Sequence, residues 1–149
     1  MGVIQQDQAD RATARARVYQ RIEAQRNDLV AFLRRYVSLA SVNPGRGTPE
    51  EPGDEGPCQR WLAETLHAFG AFSAVDVWEG APGRPNVAAT LAGSERTPGL
   101  MFNGHTDTVE VTPDQRRAWM GDPWSAEIRE GRLYGRGATD MKAGNAAFF

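Results

Sequence analysis

Leu100-Met-Phe-Asn-Gly-His105-Thr-Asp107-Thr-Val109 is a short apolar run that passes through a glycine into a histidine and an aspartate two positions apart. Leu100 to Asn103 reads as a strand, and open α/β sheets bind ligands outside the carboxyl ends of their strands. On an extended backbone residues i and i+2 point to the same side, so His105 and Asp107 share a face. A metal-ligating imidazole commonly gives its other ring N–H to a carboxylate, which fixes the tautomer and raises ligand basicity. His105 is therefore a candidate metal ligand, with Asp107 behind it as its orienting catalytic partner. A histidine that caps a strand and bonds an aspartate for structural reasons has the same spacing, and the pair alone leaves both readings open.

Upstream of this run, Val18, Ile22, Leu29, Phe32, Leu33, Tyr36 and Val37 recur mostly at spacings of three and four, the stripe of an amphipathic helix between Asp7 and Leu39. The stripe is dense only after Ile22. Residues 1–25 thus read as an N-terminal extension, helical or frayed, and residues 26–149 as the domain proper. Asn43 to Pro57 holds four Gly and four Pro in fifteen residues, a composition that predicts a long loop. Pro57 suits a first helical position, Trp61, Leu62, Thr65, Leu66 and Phe69 form one face, and Gly70 offers a stop. His67 lies off that face and reads as a surface histidine. Ala74 to Glu79 and Asn86 to Leu91 read as strands ahead of Leu100 to Asn103. Helices followed by strands separated by turns predict an α/β fold with a layered sheet.

Downstream of His105, a loop carries Pro113, Pro123, Trp119 and Trp124, the tryptophans reading as packing residues, and Glu130-Gly131 predicts a hairpin between Ile128 and Leu133-Tyr134. Residues 135–144, GRGATDMKAG, place Asp140 at a strand-to-helix turn. An aspartate there can cap a helix, or it can bridge two metal ions with its two oxygens. A dinucleotide loop is excluded, because GxGxxG requires a glycine where Asp140 stands. Met141 to Phe149 reads as the first turns of a helix that stops without a polar cap, as a cut chain does. Lys142, the only lysine beside sixteen arginines, reads as a helix-surface residue.

The composition, 40% hydrophobic and 24% charged with a net charge of −2, is that of a globular domain. No run approaches the roughly 18 apolar residues of a membrane span, and no apolar core follows the basic N-terminus, so a cytoplasmic protein with no membrane partner is expected. Residues 1–40 carry a local charge of +3, which reads as a solvated helix face rather than a nucleic-acid surface because no aromatics interleave with the arginines at its N-terminal end. Cys58 stands alone, which excludes an internal disulfide and a cysteine zinc finger. No GxSxG, P-loop or HExxH pattern occurs.

Together, PNVAATL (85–91), GHTDTV (104–109), DPW (122–124) and GRLYGRGATDMKAG (131–144) resemble the M20 family of zinc metallopeptidases and amidohydrolases. That group contains acetylornithine deacetylase, succinyl-diaminopimelate desuccinylase, aminoacylase and glutamate carboxypeptidase. The resemblance runs from about Asp28 to the end of the chain. It implies a three-layer α/β sandwich around a central mixed sheet. It implies two Zn2+ ions, with Co2+ or Mn2+ as possible substitutes, His105 ligating one zinc, Asp107 orienting His105, and Asp140 bridging both zincs ahead of a cis peptide to Met141. The substrate class it implies is a small N-acyl amino acid or short peptide bearing a free carboxylate, cleaved at its amide by a zinc-activated hydroxide.

The family also has a Glu-Glu pair, a further acidic ligand, a late His and a lid and dimerisation domain, none assignable within these residues. The chain then reads as an N-terminal fragment of the catalytic domain, inactive alone, and a homodimer stays open for the full-length parent. Glu110 departs from the proline usual after GHTDTV. Against the enzyme stands a non-catalytic remnant or binding module of the same fold. A basic helix over residues 11 to 35 that docks a partner is a third reading.

Overall fold

The computed structural model describes residues 2–49, 52–94 and 99–149. Its elements run α1 (Gly2–Ala24), α2 (Arg26–Ser38), α3 (Gly56–Ala68), β1 (Ala74–Ala81), β2 (Arg84–Thr90), α4 (Pro113–Ala118), β3 (Glu127–Arg129), β4 (Arg132–Tyr134), a wide turn over Ala138–Lys142 and α5 (Ala143–Ala146). The chain divides into two compact units, Met1–Phe32 and Leu33–Phe149.

In the first unit α1 is exposed along its described side chains, with Val18, Tyr19 and Ile22 open to solvent. Only Gln25 separates α1 from α2. Its amide still bonds the carbonyls of Arg21 and Ile22, and the Leu29 amide bonds its carbonyl, so helical bonding runs through the junction. Alanine and arginine favour helix without burying apolar surface, which accounts for a helix here that contributes no core.

The second unit is built around the end of α2. Tyr36 and Val37 are buried there with Val42, Cys58, Leu62, Leu66, Val111 and Ala146. In α3 the buried Cys58, Leu62 and Leu66 recur every four residues and form the inward stripe. This helix starts where the Asp54 carboxylate accepts the Gly56 amide, with Pro57 in its first turn, and Gly70 follows its end at φ +65°. Strands β1 and β2 pair antiparallel, Val77 opposite Val87, and α3 packs against both. β3 and β4 form the anticipated hairpin, and Glu130 and Gly131, at φ +51° and +74°, take the left-handed pair of a tight two-residue turn.

Helices with small antiparallel sheets make an α/β architecture, and four local expectations need correction. Leu100 to Asn103 is not a strand: no described segment offers it a ladder, and Leu100, Met101 and Phe102 lie exposed. The only parallel pairing among the described residues is a single bridge, Val42 with Thr108, made by Thr108 N–H to Ser41 O (2.9 Å) and Asn43 N–H to Thr108 O (3.0 Å). The stretch read as loop after His105 contains α4, signalled by Thr112-Pro113 and Gln115: the Thr112 side chain accepts the Gln115 amide and the Gln115 side chain accepts the Thr112 amide. The helix expected from Met141 begins only at Ala143, because Asp140 and Met141 have non-helical backbone and the peptide between them is cis. Lys142 is buried rather than on a helix surface. Among its described residues the predicted loop 43–57 has neither helix nor strand up to α3; residues 50 and 51 lie outside them.

Candidate functional site

His105, Asp107 and Asp140 meet at the edge of a pocket of about 490 Å³. Two sets of contacts bring them there, one acting on the main chain and one on side chains.

The main chain of residues 105–106 is held by a buried polar cluster. Asn145 Nδ2 donates to His105 O (2.8 Å) and to the Tyr36 hydroxyl (3.2 Å). That hydroxyl in turn lies 2.8 Å from Thr106 Oγ1, and Ser41 Oγ donates to Thr106 O (2.7 Å). Because Tyr36 Oη accepts from Asn145, its own proton is available to Thr106. Burial pushes the Tyr36 phenol above its ordinary value, against the bonds to Thr106 and Asn145, so it stays neutral. Gly104 is required by this arrangement, since a Cβ there would collide with Asn145 Oδ1.

Lys142 anchors the turn that carries Asp140. Its side chain is fully buried, Nζ donates to Leu39 O (2.7 Å) and Tyr36 O (3.0 Å), and it lies 5.1 Å from the centre of the Tyr36 ring. An ammonium at the last carbonyls of α2 satisfies orphan acceptors and matches the negative end of the helix dipole. Burial lowers the Lys142 pKa, opposed by the nearby Cys58, whose thiol is itself raised by burial. Gly137, at φ +80°, opens this turn, and a Cβ there would meet Thr108 Cγ2.

The three predicted side chains differ sharply in exposure. His105 is 48% exposed, Asp107 24% and Asp140 84%. Nδ1 of His105 faces Asp107 O (3.0 Å) and Asp107 Oδ1 (3.3 Å), both acceptors, so Nδ1 carries a proton. Nε2 lies 3.0 Å from Asp140 Oδ1. Burial acts to lower the His105 pKa, but the bond to Asp107 O, the bond to Asp140 and the charges of both aspartates outweigh it, and the net shift is upward.

Sequence reading missed the groups behind Asp107. Asn43 Nδ2 donates to Asp107 Oδ2 (2.8 Å), Arg84 Nη2 reaches the same oxygen (3.3 Å), and Arg84 Nε donates to Glu55 Oε1 (2.7 Å). Nothing local marks these residues: each lies at least 23 positions from Asp107 or from its own partner. His67 is exposed on α3, away from the site. Trp119 lines the pocket with the Arg136 guanidinium 5.9 Å from its ring centre, so it has a place in the site that packing alone does not describe. Glu110 is half-buried, its carbonyl accepting from Arg136 Nη2 at 3.5 Å.

Among the described residues no group of three His, Cys, Asp or Glu side chains converges as a metal cage. A two-donor set does fit one ion. Donors bound to zinc at about 2.0–2.1 Å lie roughly 3.3 Å apart in a tetrahedron, and His105 Nε2 and Asp140 Oδ1 are 3.0 Å apart on the open side of the ring.

Residues 101–149 match the model of peptidase family M20/M25/M40. The chain is similar to a succinyl-diaminopimelate desuccinylase of Parvibaculum lavamentivorans, 43% identical over 107 residues, covering 68% of this chain and 24% of the relative. It is also similar to an N-formyl-4-amino-5-aminomethyl-2-methylpyrimidine deformylase of Bacillus subtilis, 36% identical over 129 residues, covering 85% and 28% respectively. A Wolbachia succinyl-diaminopimelate desuccinylase is 59% identical over 49 residues, 33% of this chain and 12% of the relative. The chain thus spans about a quarter of the length of the first two relatives.

Proposed function

This chain belongs to peptidase family M20/M25/M40, and from that premise we propose that it supplies part of the metal site of a hydrolase that cleaves an amide bond in a small N-acyl amino acid or short peptide. The observation that carries the reading is the placement of His105 Nε2 3.0 Å from Asp140 Oδ1 while Nδ1 faces only acceptors on Asp107. With a metal held between Nε2 and Asp140, the Nδ1–H kept on Asp107 would leave the Nε2 lone pair to the ion. Zinc is the proposed ion, two of them in the complete site, with Co2+ or Mn2+ able to take the same donors. When bound, such ions supply Lewis-acid polarisation of a carbonyl and activation of water.

The residues of this chain have separable roles. His105 and Asp140 would hold metal, Asp140 having two carboxylate oxygens to offer. Asp107 fixes the imidazole and its proton. Arg46 and Arg136 line the same pocket and favour a substrate with an anionic group near the cleaved bond. The relatives named above remove succinyl and formyl groups, which supports N-deacylation as the reaction class. We further propose residues 26–149 as the N-terminal part of the catalytic domain, a three-layer sandwich with a central mixed sheet, preceded by an extension over 1–25. The protein is proposed to be cytoplasmic and compatible with a homodimer.

In a full-length protein carrying this chain, His105→Ala should lower bound zinc and N-deacylation together. A variant that keeps both at native levels would remove His105 from the site. Residues 1–149 alone should show no chelator-sensitive cleavage of N-acetyl amino acids, because zinc catalysis takes about three protein ligands and only two converge among the described residues.

A further inference from the structure

An ion-pair chain runs away from the back of Asp107 to the β1–β2 hairpin and the start of α3. Arg84 opens β2, and its guanidinium is forked: Nε donates to Glu55 Oε1 at 2.7 Å and Nη2 to Asp107 Oδ2 at 3.3 Å. Glu55 precedes α3 and is buried, yet its side chain makes no cap on that helix and turns to Arg84 instead. Asn43 Nδ2 occupies Asp107 Oδ2 from the other side at 2.8 Å, and Asn43 is itself paired through its main chain with Thr108. Oδ2 thus has two donors, and Oδ1 lies 3.3 Å from His105 Nδ1, whose hydrogen bond goes to the main-chain oxygen of Asp107 at 3.0 Å.

A carboxylate held through one oxygen by a neutral amide alone can still swing about that contact. The second donor, tied at its far end to a buried carboxylate, removes that freedom. Among the described residues the Glu55 carboxylate pairs with Arg84, so a buried charge holds the guanidinium in place. An ammonium could satisfy one of these acceptors as a point charge, but not both from one planar fork.

We propose that Arg84, anchored by Glu55, is a positioning residue for Asp107: it holds the carboxylate with Oδ1 3.3 Å from His105 Nδ1, so that its charge reinforces the bond from Nδ1–H to Asp107 O and favours that orientation and tautomer of the imidazole. The inference rests on the reading of His105 as a metal ligand and deepens it. It also gives the exposed β1–β2 hairpin a purpose at the site, since Arg84 is the hairpin's connection to Asp107.

Selective 15N-histidine labelling of the metal-free protein tests the hold on the ring directly, at a pH where His105 is neutral. In the native protein Asp107 and Asp140 compete for the ring proton, so the Nδ1–H fraction measures the hold of Asp107; Arg84→Gln should shift it toward the Nε2–H form, and Glu55→Gln should shift it the same way by less. Zinc alone, titrated against a competing chelator in the full-length protein, should bind about 10-fold more weakly to Arg84→Gln. Arg84→Lys should recover only part of either loss. Where Arg84→Gln fails to fold by circular dichroism, Glu55→Gln and Arg84→Lys carry the test. Folded Arg84 and Glu55 variants with a native ring spectrum and native zinc affinity would overturn the proposal, as would full rescue by lysine, which would assign the effect to charge alone. His105→Ala is the reference for the metal reading. Loss of zinc in His105→Ala beside native behaviour in Arg84→Gln sinks only the positioning role. Native zinc binding in His105→Ala with a shifted ring in Arg84→Gln sinks the metal reading and leaves Arg84 its hold on Asp107.

Discussion

Asp107 and Asp140 flank one imidazole and are held in opposite ways. Asp107 is fixed through its own oxygens: Asn43 and Arg84 donate to Oδ2, and Oδ1 faces His105. Asp140 is 84% exposed, and among the described residues its carboxylate pairs with His105 Nε2. Its place is fixed instead from the backbone two residues on, where buried Lys142 is tied to the end of α2. A carboxylate that orients a neighbour uses up its lone pairs on protein donors. One that receives a ligand keeps them free and borrows its rigidity from the chain.

The largest effect expected from this division is at Lys142, although it touches neither aspartate in the contacts described. Lys142→Met keeps the length of the stem but leaves the Tyr36 and Leu39 carbonyls without their buried donor. A loss of about 3 kcal/mol of unfolding free energy follows from two charge-assisted bonds removed in a buried setting, measured by urea denaturation. A loss below about 0.5 kcal/mol, the range of an ordinary surface substitution, would mean that the Asp140 turn is held by something other than Lys142.

Next in size is the contrast between the aspartates themselves. Asp107→Asn should cost about 1–2 kcal/mol, because it weakens the contact with Arg84 and puts an amide nitrogen where Asn43 or Arg84 donates. Asp140→Asn should change stability by no more than about 0.5 kcal/mol while removing most zinc binding in the full-length protein. Equal stability losses in the two variants would erase the distinction between a fixed carboxylate and a presented one.

Those roles were unequally legible in the sequence. His105 and Asp107 are two positions apart, and the Glu130-Gly131 hairpin and the Pro57 helix start are signalled by adjacent residues, so local spacing was enough to find them. Asp140 was legible through the turn chemistry around it. Arg84, Asn43 and Lys142 were not, because their roles are defined by partners 23, 64 and 106 positions away, and no period or turn signal encodes contacts of that range. Lys142 shows the point most clearly: beside Gly and Ala on a helical stretch it reads as solvated, and only the returning end of α2 makes it a buried cap. The expected strand at Leu100 failed for a related reason. An apolar run specifies a willingness to pair, and pairing needs a neighbour, which none of the described residues supplies.

The smallest effect concerns protons at His105 in the metal-free chain, and its sign separates the two aspartates once more. The folded pKa of His105 lies above the ordinary imidazole value, the pull of Asp107 and Asp140 exceeding the opposing effect of burial. A raised pKa means that the folded state binds the proton more tightly than the unfolded chain. The stability this contributes is complete below the unfolded value, near about 6.5, and is lost as the pH rises through the folded value. Ring-proton shifts followed against pH should therefore place the His105 midpoint above that of the unfolded chain, and Asp140→Asn should bring it down because one of the two negative charges beside the ring is gone. Asp107 remains in that variant, so part of the elevation should persist. A midpoint unmoved by Asp140→Asn would mean that Asp140 does not act on the ring at Nε2, and the pairing on which both the metal reading and the contrast depend would lose one of its two sides.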